Sequence, residues 1–296
     1  MQDVDVVQRA WADHRVWSQT ANRLKGRIGS ARVIGLWLTI LAAVAAAGAA
    51  TASRQDVTGV ARALSAVAAI SAGIATGVVR GRTSTNAIRD WTRARSASEG
   101  LKSEVYKRLA GSSQYSGDDP DARLAAQHRA IVAAVADLAP HTLAVEVASS
   151  APPTVTDLAS YIERRVDDQI DTYYRPRAAL YHRRARRLRL AGDVLGVVAV
   201  VIAGIATVVD ASDLDLATWV PVVTTIGAAV VAHIAASRYD HQIIEFLRTA
   251  EQLEDLRDVV RPSLTTAEFV DACESVISVE NQAWMARWAT PPDTTT

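Results

Sequence analysis

The sequence predicts an all-α membrane protein: four transmembrane helices arranged as two repeated hairpins, with long amphipathic cytoplasmic helices around them. Three observations carry this. Four runs of about 20 residues hold no charge or a single one, they come as two closely spaced pairs, and arginine gathers outside the pairs while the connections inside them hold little or none. About 20 apolar residues are what a helix needs to cross a hydrocarbon layer of about 30 Å.

The first 32 residues are polar, and Arg9, Arg15, Arg23, Lys25, Arg27 and Arg32 lie along them. A cleaved signal peptide is not expected from that layout, because the apolar stretch starts late and is repeated further on without a cleavage-like site. Residues 33–53, "VIGLWLTILAAVAAAGAATAS", form the first run. The turn "RQD" leads into a second, 57–79, interrupted only by Arg62, whose long stem can snorkel to the headgroups or face a pore. Arg80, Arg82, Arg89, Arg93 and Arg95 follow. So short a connection requires antiparallel neighbours, hence a hairpin; the runs are too long, too rich in Ala and too free of alternation for strands.

Residues 111–155 form a junction. "SSQYSGDDP" is a loop, Asp119 and Pro120 open a short helix to about Ala139, and "SSAPPTVT" is a linker. From Asp157 to Tyr174 an apolar stripe runs through Leu158, Ile162, Val166, Ile170 and Tyr173, and Pro176 is expected to break or restart the helix. The basic block "HRRARRLRL" then precedes the third run, 190–209, which carries Asp193; after "DASDLD" the fourth run, 216–237, has no charge and has Pro221 in its first turn. The first members of the two pairs begin about 161 residues apart, a repeat in hydropathy with little residue identity. Beyond it, Tyr239, Ile243, Phe246, Ala250, Leu253 and Val260 mark a second amphipathic helix that can pack on the first. The last helix starts at a capping-box pattern, Thr265 with Glu268, and its stripe is Phe269, Cys273, Val276 or Ile277, Glu280, Trp284 and Trp288. Cys273 is thereby a small packed residue.

The alternative to membrane spans is a buried soluble bundle, which a mean hydropathy of +0.08 allows. Charge placement argues against it. The second hairpin is flanked by Arg175, Arg177, Arg183, Arg184, Arg186, Arg187 and Arg189, whereas its tip holds Asp210, Asp213 and Asp215 and no base. A soluble bundle has no reason to sort charge so, and the positive-inside rule predicts it, with N- and C-termini cytoplasmic. Arg183, Arg184, Arg186, Arg187 and Arg189 are then headgroup contacts for anionic lipid, at about 1 kcal/mol each.

Within the spans, Ser65, Ala69, Gly73 and Gly77 recur every fourth residue, as do Thr224, Ala228, Ala232 and Ala236; each set forms a small-residue face suited to close helix packing. Asp193 and His233 each lie about one turn inside the same end of their runs and form a candidate intramembrane pair. The other reading is that each reaches the interface independently. Thr39, Ser65, Thr76, Thr207 and Thr225 are the candidate pore lining, Ser65 and Thr76 sharing one face.

Much chemistry is missing. No Walker loop, GxGxxG, HExxH or GxSxG is present, the six histidines never stand at metal-ligand spacing, and one cysteine makes no disulfide. Asp167 and Asp168 are adjacent on a helix and diverge by about 100°. No catalytic, cofactor or metal site is expected. Lys plus Arg and Asp plus Glu balance at 32 each, and only Tyr181 could stack on a base within the arginine block, so nucleic acid is not an expected partner.

A basic helix, a two-span hairpin and a long exit helix together resemble the SLATT group, the two-transmembrane effector domains associated with bacterial nucleotide-signal defence systems. "YIERRVDDQIDTYYRPRA" (161–178), "RYDHQIIEFLRTAEQLEDL" (238–256) and "ACESVISVENQAWMARW" (272–288) carry the resemblance, and the first half is similar in layout. The chain thus resembles two SLATT units in tandem, 1–110 with spans at about 33–53 and 57–79, and 156–290 with spans at about 190–209 and 216–237. The resemblance implies a non-enzymatic effector of the bacterial inner membrane. It would perturb or perforate that membrane as a pore-forming homo-oligomer, triggered through a nucleotide-sensing partner protein. The competing expectation is a non-conducting membrane scaffold that recruits partners through its cytoplasmic helices.

Overall fold

The computed structural model describes residues 5–143, 145–208 and 216–289. The tip acids Asp210, Asp213 and Asp215, and the side chains of Glu280, Trp284 and Trp288, lie outside that set. Among the described residues there is no strand. The helices are α1 (Val6–Arg54), α2 (Thr58–Arg82), α3 (Thr85–Ala110), α4 (Pro120–Ala133), α5 (Leu158–Tyr161), α6 (Arg175–Val208), α7 (Val220–Ser237), α8 (Tyr239–Asp255) and α9 (Thr266–Ala289). Between α5 and α6 the chain stays helical through two π turns, Ile162–Asp167 and Gln169–Tyr174; a third, Leu256–Val260, follows α8.

Pro176 does not break the chain's helical winding; of the two expectations the restart holds, since α6 begins at Arg175, just before it. In an α-helix its ring would meet the carbonyl four residues back and its missing N–H would cost a bond; the π turn that ends just before it, at Tyr174, is wider and takes both in. The helix opened by Asp119 is real, with the Asp119 carboxylate accepting from the Ala122 amide at 2.9 Å, but it ends at Ala133 and hands over to a tighter 3-10 stretch, Ala136–His141, that contains Pro140. The capping box at Thr265 forms as read: the Thr265 amide donates to Glu268 at 2.9 Å and the Glu268 amide to the Thr265 hydroxyl at 3.3 Å.

Two compact units emerge, and neither is a sequence half. One, the helical body, gathers residues 1–26, 85–179 and 242–296; the other, the hairpin unit, gathers 27–84 and 180–241. The junction 111–155 is therefore part of the body and contributes Tyr115, Leu124, Leu138 and Val155 to its interior. One patch of that interior joins Val7 and Ala10 of α1, Val105 of α3, Tyr115 and Leu124. The two amphipathic helices flanking the second hairpin do pack: Phe246 of α8 meets Tyr173 and Tyr174 with ring centroids 5.8 and 6.0 Å away.

The hairpin unit is built the other way. Four helices are long and apolar enough to cross a membrane, with mean hydropathies of 1.6 to 2.2 over their best windows, yet only 6% to 22% of each window is buried within the chain. Val33, Ile34, Trp37, Leu41, Ile70, Ile74, Leu190, Val197 and Val201 all face outward. A soluble four-helix core would bury its apolar stripes; here hydrocarbon is the medium these faces suit. The first hairpin turns on Asp56, which holds a left-handed φ of 57° while the Val57 amide reaches back to the Ala52 carbonyl at 3.0 Å. This is a Schellman-type helix end with aspartate where glycine is usual. Arg238, with φ 48°, likewise separates α7 from α8.

Glycines set the register of the first hairpin. A methyl added at Gly35 would lie 2.5 Å from Val79 Cγ2 and one at Gly48 3.1 Å from Leu64 Cδ1, so α1 and α2 run antiparallel; one at Gly227 would lie 4.0 Å from Leu195 Cβ, so α7 passes beside α6. Valine is stiff and cannot yield at Gly35. Gly35→Ala is expected to weaken the first hairpin by about 1–3 kcal/mol, read as a lower midpoint in a detergent unfolding titration. Val79→Ala in the same chain is expected to restore most of the loss; an unchanged midpoint in Gly35→Ala counts against this register.

Candidate functional site

In the hairpin unit the site residues are displayed outward. Ser65, Ala69, Gly73, Gly77, Thr224, Ala228, Ala232 and Ala236 are all exposed, so both small-residue faces are left uncovered by the chain itself. Packing inside the unit uses other positions: Ser71 and Ala75 on α2, Val222 and Val230 on α7, and Ala45, Ala47, Ala49 and Ala52 on α1. Close approach of α1 and α2 is supplied by Gly35 and Gly48 of α1, which leaves the glycines of α2 free to point elsewhere.

Ser65, Thr76, Thr207 and Thr225 are exposed and Thr39 is half-buried. Each threonine hydroxyl donates to a carbonyl of its own helix: Thr39 to Gly35 at 2.9 Å, Thr76 to Ala72 at 3.0 Å, Thr207 to Gly204 at 2.7 Å and Thr225 to Pro221 at 2.6 Å. The donor is thereby satisfied without water, which makes these residues tolerable in lipid. No ion pair joins Asp193 to His233. Asp193 is exposed and His233 half-buried. Arg183, Arg184, Arg186, Arg187 and Arg189 are exposed, Arg189 reaching Asp240, while Tyr181 and Ala185 turn inward.

The helical body holds the denser chemistry. Arg165, in the first π turn, and Glu274, on α9, have side chains with no exposure at all. They meet in a bidentate bond, Nε and Nη2 donating to Oε1 and Oε2 at 2.7 Å each. The Tyr161 hydroxyl adds a third donor to Oε1 at 3.1 Å, and the guanidinium lies over the Tyr106 ring at 4.8 Å. With its amide turned to fit its neighbours, Gln169 accepts from Arg165 Nη1 and Lys102 Nζ, both at 3.1 Å. Beside this stand Glu99, paired with Arg95 at 2.9 Å, and His14 of α1, whose Nδ1 lies 2.8 Å from the Ser98 carbonyl. At the edge of the body Arg257 reaches Asp167 at 2.6 Å.

Burial and charge divide the titrations of this cluster. Burial pushes His14 down to about 4, against the helping bond to Ser98. It works to raise Glu99, but Arg95, Lys102 and Arg165 outweigh it and hold that carboxyl at about 2. Lys102 is pushed down to about 8 by burial and then by Arg165. Burial opposes the charge on Arg165, and Glu274 more than compensates, so the guanidinium stays ionised. Cys273 is buried and its thiol pushed up to about 12, first by burial and then by Glu274, which removes it as a nucleophile near neutrality. Among the described residues no His, Cys, Asp or Glu group could hold a metal ion.

Sequence reasoning passed over Arg165, Glu274, Tyr106, Lys102 and His14. One signal was present: Tyr161, Arg165 and Gln169, and Ile162, Val166, Ile170 and Tyr174, are buried at strict spacings of four. That period is longer than 3.6 and marks an underwound helix with a polar stripe beside the apolar one.

These features define a helical-hairpin membrane protein with an ion-paired helical body. Residues 161–284 match the model of the SMODS and SLOG-associating 2TM effector domain 1, a SLATT domain. Residues 8–122 match a different family, a protein of unknown function (DUF4231). The SLATT resemblance thus has a family match in the second half of the chain, and in the first half it rests on layout alone. Comparison with curated proteins, and with solved structures, finds no match.

Glu274→Gln leaves the buried guanidinium short of its counter-charge and is expected to cost about 3–5 kcal/mol, whereas the apolar double replacement Arg165→Met with Glu274→Leu is expected to recover most of it. Thermal unfolding of the two variants in the same detergent decides this; a double variant as weak as the single one contradicts it. A second expectation concerns acid. An unfolded His14 takes its proton below pH 6.5 and the folded one only near 4, so the unfolded state binds more protons between those values. Stability should be full above pH 6.5 and fall by about 3 kcal/mol as pH drops to about 4. His14→Gln should flatten that slope in a denaturation series across pH.

Proposed function

We propose that the chain is an effector of the bacterial inner membrane, acting in a nucleotide-signal-linked defence system, that perturbs or perforates the bilayer as a homo-oligomer. The observation that carries the reading is the uncovered state of the four apolar helices, whose small-residue faces on α2 and α7 both point away from the chain. In lipid, such faces associate through close backbone contact, and the copies best suited to cover them are identical ones. N- and C-termini lie in the cytoplasm, and the exposed arginines 183, 184, 186, 187 and 189 contact anionic headgroups there. Asp193 and His233 act at that same interface. Ser65, Thr76, Thr207 and Thr225, outward and back-bonded, supply acceptors to a lumen, with Thr39 deeper in the unit. The effector domain matched at 161–284 supports a non-enzymatic role. A nucleotide-sensing partner protein supplies the trigger.

A second reading, a non-conducting scaffold, is favoured by Ile244, Leu247 and Val259, which stand exposed along the helical stretch 239–260 where a partner could cover them. Purified protein reconstituted into vesicles of bacterial phospholipid separates the two. Release of a trapped dye in proportion to protein is expected for the effector, and vesicles that hold their dye at every protein density and with every nucleotide tried would leave the scaffold.

A further inference from the structure

Three turns of the helical body are wound in π register, Ile162–Asp167, Gln169–Tyr174 and Leu256–Val260. Such turns are rare and are kept where a fold has a use for them. The first can be followed atom by atom. The Asp168 amide donates to the carbonyls of Arg165 and Glu163 and passes over that of Arg164, the acceptor an α-helix would give it. The passed-over carbonyl takes the Tyr106 hydroxyl at 3.0 Å instead. Two further clamps grip the same six residues: Glu274 of α9 holds Arg165, and Arg257, itself in the third π turn, holds Asp167 at 2.6 Å. Clamps from three separate elements therefore converge on one π turn.

We propose that residues 162–167 form a register lock, held in π winding by Glu274, Tyr106 and Arg257 and released to α winding when α9 withdraws Glu274. Removal of that carboxylate leaves a buried guanidinium unpaired, which the surroundings do not tolerate; Arg165 must move toward water, and the turn that carries it must rewind. A π turn holds about one residue more than an α turn, so relaxing one shifts everything C-terminal to it by roughly 100° about the helix axis and about 1.5 Å along it. What lies C-terminal is α6, which carries the third apolar run. The lock thus sets the register in which α6 starts. Its meaning as control of a membrane effector rests on the function proposed above; its existence does not.

The test uses full-length protein in detergent. Tyr106→Phe keeps the ring over Arg165 and removes only the hydroxyl. Ala178, buried in the first turn of α6, is replaced by cysteine as a register probe, and the native Cys273, buried on α9, serves as the probe of an intact body. Tyr106→Phe is expected to raise the maleimide labelling rate at position 178 at least tenfold while Cys273 stays as slow as in the parent. Arg257→Gln, which loosens a clamp at the edge of the body, is expected to give a smaller rise of a few fold. An unchanged rate at 178 in both variants, or equal acceleration at 178 and Cys273, which signals unfolding, overturns the lock. Faster labelling at 178 alone, with no change in dye release from vesicles, upholds the lock and counts instead against the effector reading.

Discussion

Two ions with no exposure to water must find in each other, and in a few neighbours, everything that water supplied. Arg165 and Glu274 do so through two bonds of 2.7 Å, the Tyr161 hydroxyl on the carboxylate and the Tyr106 ring and Gln169 on the guanidinium. Such a pair adds little net stability over an apolar one of the same size, because desolvation is so costly. Its effect is selective. Apolar side chains would tolerate several registers of α9 against the π turns, whereas a bidentate bond with no water available tolerates one. Tyr106, Lys102 and Glu99 from α3 and His14 from α1 then have to stand where that arrangement places them, and the underwound helix between α5 and α6 is part of the same solution.

The hairpin unit faces the opposite requirement. Hydrocarbon satisfies no backbone group, so each apolar run must be a helix that bonds to itself, and the threonines on those runs do likewise with their hydroxyls. Nothing drives such helices together except close approach, which Gly35 and Gly48 permit on α1. The outcome is a unit that covers little of itself and leaves its small-residue faces exposed. One chain thus holds a body made specific by buried charge beside a unit made adaptable by the lack of it.

Much of this could be read in advance. The four runs, their pairing, the caps at Asp119 and Thr265 and the packing of the stretch 157–174 against the helix from 239 onward depend on local composition and short spacings, which act within a few residues of where they are written. Resemblance to the SLATT group was legible for the same reason, in marks on single helices at 161–178, 238–256 and 272–288. Cys273 was legible as a packed residue because its neighbours at spacings of three and four are apolar.

The sequence by itself determined the four apolar runs, their pairing and the medium they suit, because hydrophobic period and run length are properties of contiguous residues. Tertiary structure alone decided that each compact unit draws on both halves of the chain, and that Tyr115, Leu124, Leu138 and Val155 of the stretch 111–155 are buried. It decided too that Arg165 and Glu274, 109 residues apart in the chain, form one buried bond, and that helical winding runs on through Pro176. Each of these depends on which distant surface a helix meets, and a charge reads as solvent-exposed until the partner that removes it from water is known.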